Sequence, residues 1–293
     1  MKPKIVYILL GIGIILSVMV ICISCSLFTP YNKMNVDHYE KFNSKLKPYK
    51  QKIEKNIFQT FGGGAIPKKF KKITKYLKLQ NPEYKYYLYD DNDILTFITT
   101  KYPEYLESYN MINSDYGAAK ADFFRYMVVY HYGGVYFDIK SGASVPLRKI
   151  IKPKDEFVSS GWSWLYPEKY INWCIMAKKG HPLLKYVLDG INDAIKSYEL
   201  EKDGVGQYGV LNLTGPYRYS NILEQHVSKY KIHHYRNIKK SKLIYNYCFK
   251  NNMDVLSCGL MSVTAGKIGS CNHSAGIAKK YNVLSSPVVV RSS

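Results

Sequence analysis

The chain has 293 residues, 46% of them hydrophobic, and carries 42 Lys and Arg against 22 Asp and Glu, a net charge of +20. That is enough apolar material for one ordinary α/β domain with an appendage, and it excludes a disordered chain. The positive charge is scattered lysine with only 5 arginines, and no finger, RNP or helix-turn-helix signature accompanies it. This argues against a nucleic-acid partner and leaves acidic glycans, nucleotide sugars or anionic headgroups.

After a tail of residues 1–4, Ile5 to Phe28 contains no charge. As a helix it would extend about 36 Å, enough for a hydrocarbon core of about 30 Å. A cleaved signal peptide is the competing reading, but its apolar core normally runs about 7–15 residues, and no convincing cleavage site follows. The span reads as a single-pass signal anchor, with Cys22 and Cys25 as membrane cysteines. Lysines at 33, 41, 45 and 47 follow it, so charge does not set its orientation. Residues 29–53 read as a polar stem and 54–293 as the folded domain.

In that domain, Lys55 to Thr60 reads as a strand. Gly62-Gly63-Gly64 is a permissive loop and no P-loop, since no Gly-Lys-Ser/Thr follows. Lys68 to Leu79 is a helix by apolar spacing, and Tyr84 to Tyr89 a strand. Asp90 to Asp93 opens the next helix as caps rather than as a cation site. A further helix starts at Pro103. Gly117 then begins a helix on which Asp122 and Arg125, three apart, share a face. Gly133-Gly134 ends it, Val135 to Phe137 reads as a strand, and Asp138 sits at the strand's carboxyl end, where α/β sheets bind ligands.

Downstream, Glu156 to Ser160 and Asn172 to Ala177 read as strands. Trp162 and Trp164 lie in the loop between them, as ordinary packing or as a platform for an acceptor sugar. His181 belongs to a turn, Leu183 to Tyr198 is an amphipathic helix, and Glu201 to Gln207 a polar loop. Thr214-Gly215-Pro216 starts a helix through Tyr230. Ile232 to Tyr235 is a strand whose His233 and His234 face opposite ways, which argues against a shared metal. If the domain is lumenal, Cys174, Cys248, Cys258 and Cys271 allow three pairings.

The run Ala121-Asp122-Phe123-Phe124-Arg125-Tyr126, followed by Gly133-Gly134-Val135-Tyr136-Phe137-Asp138-Ile139-Lys140, resembles the sugar-binding core of glycosyltransferases with an Asp-x-Asp motif. This family takes in yeast mannosyltransferases and clostridial glucosylating toxins. The resemblance implies a GT-A-like, nucleotide-sugar-binding α/β fold: a Rossmann-like mixed sheet with helices on both faces. It implies a UDP- or GDP-sugar donor, a glycan, glycolipid or glycoprotein acceptor, transfer with retention, and a lumenal (Golgi/ER-type) domain on the membrane. Asp122 and Arg125 would grip donor hydroxyls, Tyr136 would line the donor pocket, and Ile57 and Gln59 would lie on the strand meeting the nucleotide. A catalytically inactive relative that binds nucleotide sugar or glycan is the alternative.

The family's cation, Mn²⁺ or Mg²⁺, would be held by Asp138 with His273 looping back from the C-terminal region. Lys140, however, stands where the second aspartate is expected. Either Asp138, His273 and the diphosphate hold a weak metal, or the Lys140 ammonium neutralises the diphosphate. Strand alternation would place residues 138 and 140 on one side. Asp122→Ala, Arg125→Ala and Asp138→Asn are each expected to cut transfer strongly and leave the fold intact.

Overall fold

The computed structural model describes residues 47–62, 64–162, 170–245 and 286–290. Its centre is a six-stranded mixed sheet. The strands are β1 (Asn56–Thr60), β2 (Lys85–Tyr89), β3 (Gly134–Phe137), β5 (Phe157–Ser160), β6 (Cys174–Ala177) and β7 (His233–Tyr235), in the order β2-β1-β3-β6-β5-β7. β1 runs parallel to both β2 and β3, whereas β6 is antiparallel to its neighbours β3 and β5. A separate ribbon pairs β4 (Gly142–Ala143) with β8 (Leu243–Ile244).

Successive strand residues point to opposite faces. Phe58, Tyr136, Phe157 and Ile175 therefore enter one core, and Ile57, Val135, Phe137, Val158 and Met176 the other. The second core is closed by Leu77 of α1 (Lys68–Gln80) and by Leu147 and Ile150. The first is larger. It takes in α2 (Asp91–Lys101), α3 (Pro103–Met111), α4 (Gly117–Tyr132), α5 (Pro182–Lys196), α7 (Gly206–Leu213) and α8 (Pro216–His226). Two single-turn helices, α6 (Leu200–Asp203) and α9 (Ile238–Ser241), complete the body. The expected mixed α/β sheet flanked by helices is thus present.

α4 is the central helix. Every residue from Asp122 to Val129 is buried, so it has no solvent face, as expected of a helix packed on all sides. It ends at Gly133, whose φ of +66° favours glycine, and β3 begins at Gly134 with φ +124°. A Cβ on Gly134 would lie 2.6 Å from the Asn56 carbonyl oxygen, so β3 can pair with β1 only because that position carries none. The helix-to-strand register, and with it the spacing of Asp122 and Asp138, depends on these glycines.

Several expectations are met in detail. Asp90 caps α2 in a reciprocal box, accepting from the Asp93 N–H at 2.9 Å while Asp93 accepts from the Asp90 N–H at 3.1 Å. His181 caps α5 through Nδ1. His233 pairs with Asp155 at 2.7 Å while the His234 ring lies against Tyr170, on separate sides of β7.

Others are corrected. The stretch read as a polar loop, Glu201 to Gln207, is largely helical, divided between α6 and the start of α7 with Gly204 at φ +76° as the joint. Among the described residues Cys174 is a free, buried thiol; the other body cysteines lie outside them. Packed contacts are already present just before residue 54. Ile53 is fully buried, Tyr49 donates to the Ile151 carbonyl at 2.8 Å, and the Lys52 N–H donates to the Pro153 carbonyl at 3.2 Å. The expected anchor at 5–28 lies outside the described residues, among which no helix is long and apolar enough to cross a membrane.

Residues 286–290 form a strap. Val289 bridges Ile112 before α4, and Pro287 bridges Val205 before α7. Tyr116 donates to the Ser286 carbonyl at 2.6 Å, and the Val290 N–H to the Met111 carbonyl at 2.8 Å. A Cβ on Gly209 would lie 2.7 Å from Val288 Cγ2, so the strap seats where α7 has no side chain.

Candidate active site

β1 and β3 are parallel neighbours, so their carboxyl ends finish side by side and bring Thr60 and Asp138 together. The Tyr136 hydroxyl links them, 3.0 Å from Thr60 Oγ1 and donating to Asp138 Oδ1 at 3.4 Å. From beneath, α4 supplies Asp122 and Arg125. One guanidinium spans both acids: Nη1 lies 2.9 Å from Asp122 Oδ1 and Nη2 3.0 Å from Asp138 Oδ1. Its plane lies over the Tyr136 ring, 4.8 Å from the centroid. Asp122, Arg125, Tyr136 and Asp138, expected to converge, therefore do so in one hydrogen-bonded cluster.

Asp122 and Arg125 are only 6% and 5% exposed. Charges this deep persist only when paired and hydrogen-bonded. Asn172 supplies part of that support, its Nδ2 donating to Asp122 Oδ1 at 3.1 Å and its carbonyl accepting from Arg125 Nη1 at 3.0 Å. Thr214 donates to Asp122 Oδ2 at 3.2 Å, and Tyr126 donates to the Thr214 carbonyl at 3.1 Å. Burial pushes the Asp122 carboxyl up to about 7, against the opposing pull of Arg125. Sequence reasoning missed Asn172, Thr214 and Tyr126 as site residues. The available signal was a polar side chain opening a buried strand, and a threonine before the Gly-Pro helix start.

Gln59 and Ile57 stand outside this cluster. Gln59 is fully buried and donates to the Asp138 carbonyl at 3.1 Å while accepting from Tyr86 at 2.8 Å, so it fixes the backbone that carries the acid. The Ile57 side chain lies in the core on the sheet's other face.

Lys140 does not continue β3. The Ser141 N–H donates to the Asp138 carbonyl at 2.8 Å, closing a turn at residues 138–141, so the alternation expected for 138 and 140 does not apply. The turn nonetheless keeps Lys140 beside Asp138. Its ammonium sits over the Tyr245 ring, 4.7 Å from the centroid. Burial lowers its pKa, but Tyr245 and Asp138 outweigh burial and hold it above the ordinary lysine value. Tyr245 in turn packs at a tilt against Trp173 and edge-on against Trp162, with centroids at 5.0 and 5.3 Å. Trp164 and His273 lie outside the described residues.

A divalent cation of the Mg²⁺ or Mn²⁺ kind asks for several hard oxygen ligands. Asp138 offers one carboxylate, already engaged by Arg125 and Tyr136. Lys140 offers an ammonium with no lone pair. Among the described residues no group of three or more His, Cys, Asp or Glu could hold a metal ion. The donor set that is described does not fit the ion.

Residues 67–157 match the family model described as a glycosyltransferase sugar-binding region containing a DXD motif. The stretch is similar to that sugar-binding region over 67–157. It contains Asp122, Arg125, Tyr136, Asp138 and Lys140. Over 235 residues the chain is 28% identical to the initiation-specific alpha-1,6-mannosyltransferase of Candida albicans, covering 64% of this chain and 58% of that protein. It is 34% identical over 112 residues to the mannosyl phosphorylinositol ceramide synthase SUR1 of Saccharomyces cerevisiae, covering 38% and 29%. It is 31% identical over 139 residues to inositol phosphoceramide mannosyltransferase 3 of Schizosaccharomyces pombe, covering 46% and 36%. The chain thus spans less than two thirds of each relative's length. Among solved structures, the PaToxG glycosyltransferase superposes with a TM-score of 0.49 at 18% identity, covering 66% of this chain and 77% of that one.

Proposed function

We propose that the protein is a glycosyltransferase of GT-A-like fold, moving a sugar from a UDP- or GDP-sugar to a hydroxyl of a glycan, glycolipid or glycoprotein. The observation that carries this reading is the Arg125 guanidinium shared by Asp122 and Asp138 at the adjoining carboxyl ends of β1 and β3. Buried, hydrogen-bonded acids and a fixed guanidinium are the groups that orient a polyhydroxylated ring. In the reaction the anomeric carbon–oxygen bond to the diphosphate breaks and its electron pair stays on the diphosphate oxygen. The acceptor hydroxyl oxygen bonds to the anomeric carbon, and its proton passes to the departing oxygen on the same face, so configuration is retained. Asp122 and Arg125 hold the ring, and Asp138 and Tyr136 line the donor side.

The test is calorimetric titration of the chain with UDP- and GDP-sugars, followed by a donor panel read by release of nucleotide diphosphate. Mannose heads the panel because the relatives' names carry it. Binding followed by release of nucleotide diphosphate supports the reading. Binding without turnover on any donor and acceptor favours the inactive-binder alternative, for which the lysine in place of an acid at 140 is the argument. We further propose that residues 5–28 anchor the protein with its catalytic body on the lumenal side. The full chain should then stay in the membrane pellet after carbonate extraction, and recovery of a mature form beginning near residue 20 would overturn the anchor.

A further inference from the structure

We infer that Lys140 stands in for the divalent cation, its ammonium receiving the diphosphate that leaves the donor; the inference rests on the glycosyl-transfer reading above. Three observations carry it. First, the acid that a cation would use is already committed: Arg125 Nη2 lies 3.0 Å from Asp138, and a dication at Asp138 would sit against that guanidinium. Second, Lys140 is held in the same tight turn as Asp138, closed by the 2.8 Å hydrogen bond from the Ser141 N–H. There it rests on the face of Tyr245, drawn also by the Asp138 charge, and forms no salt bridge with a carboxylate among the described residues. Third, two neighbouring donors are buried with no partner among the described residues, Ser141 Oγ and Trp173 Nε1. Ser141 follows Lys140 in the chain. Trp173 accepts the Asp138 N–H on its carbonyl at 2.9 Å, and its ring packs at a tilt against the tyrosine that carries Lys140.

An unpartnered buried donor is costly, and these two belong to the chain neighbour of Lys140 and to the indole that contacts Tyr245; a ligand rich in acceptor oxygens would satisfy them. A diphosphate is such a ligand, and lysine serves it as a point charge on a flexible stem. Lys140 moves no proton in this scheme. It supplies positive charge where the electron pair of the breaking bond accumulates.

The experiment measures UDP and GDP binding to the full chain by calorimetry, with uridine and guanosine as controls lacking the diphosphate. Wild-type binding should survive EDTA and gain nothing from added Mn²⁺. Lys140→Ala should weaken diphosphate binding roughly 10- to 100-fold while leaving nucleoside binding unchanged. Lys140→Arg should keep most of the affinity, which separates loss of charge from loss of fold. Lys140→Asp should bind only when Mn²⁺ is added. If EDTA abolishes wild-type binding and Lys140→Ala binds as tightly as wild type in Mn²⁺, a metal is the clamp and the inference is overturned. If wild type binds neither nucleotide under any condition, the glycosyl-transfer reading itself falls, and this inference with it.

Discussion

Arg125 faces two carboxylates with one positive charge, and it does so in the interior. That changes what substitution there does. The sequence suggests cleft residues that can be replaced without harm to the fold, but removing a buried guanidinium leaves two acids uncompensated. Arg125→Ala should destabilise the protein by about 3–5 kcal/mol in urea denaturation, so its loss of activity must be read beside its loss of folded population. Asp138 is more open, with 18% of its side chain exposed. Asp138→Asn should keep the fold and lower transfer about 100-fold, measured as product release at matched folded concentration. Two buried groups give opposite pH signatures. Asp122 has its native pKa raised to about 7, so between pH 4 and 7 the native state binds the extra proton and stability falls as pH rises. His181 has its native pKa lowered to about 4 by burial, so between its unfolded value of about 6.5 and pH 4 the unfolded state binds the extra proton and stability rises with pH. Each slope is at most about 1.4 kcal/mol per pH unit. Denaturation at pH 5 and 7.5 should therefore show Asp122→Asn gaining on wild type as pH rises, and His181→Asn losing ground to it.

Among the elements, the β1–α4–β3 unit is where sequence and structure agree best. Phe124, Met127, Val128 and Tyr130 at helical spacing mark α4, the glycine pair marks its end, and the spacing places Asp138 just beyond β3. These are local signals, set by helix period and backbone conformation. What was illegible is non-local: that β6 enters antiparallel between β3 and β5, and that Asn172 and Thr214, 42 positions apart, meet on Asp122. α7 was obscured because Gly209, which weakens helix propensity, sits close against the Gly204 carbonyl and Val288 of the strap. The turn at Lys140 was obscured because Phe137-Asp138-Ile139 alternates as a strand would. Gly134→Ala tests the local part directly. It combines a φ of +124° with a Cβ placed 2.6 Å from the Asn56 carbonyl oxygen, so it should cost more than the roughly 1–3 kcal/mol of backbone strain alone and weaken donor binding by displacing Asp138.

At the scale of the whole molecule, the body needs the segment before β1. A chain beginning at Lys47 should fold, whereas one beginning at Glu54 loses the fully buried Ile53 and the Tyr49 and Lys52 hydrogen bonds. The shorter chain should be less stable by at least the roughly 2–5 kcal/mol of a deleted core aliphatic, measured as the shift in denaturation free energy. The strap at 286–290 has a further consequence, and it concerns time. It joins the starts of α4 and α7, which carry Asp122 with Arg125 at one end of the network and Thr214 at the other. These contacts close over intervals of 82 to 177 residues, the kind of long loop that forms slowly. During synthesis, sheet and central helix emerge well before the strand that ties them. The tie between the starts of α4 and α7 is therefore expected to close late, after the sheet and the central helix have been made.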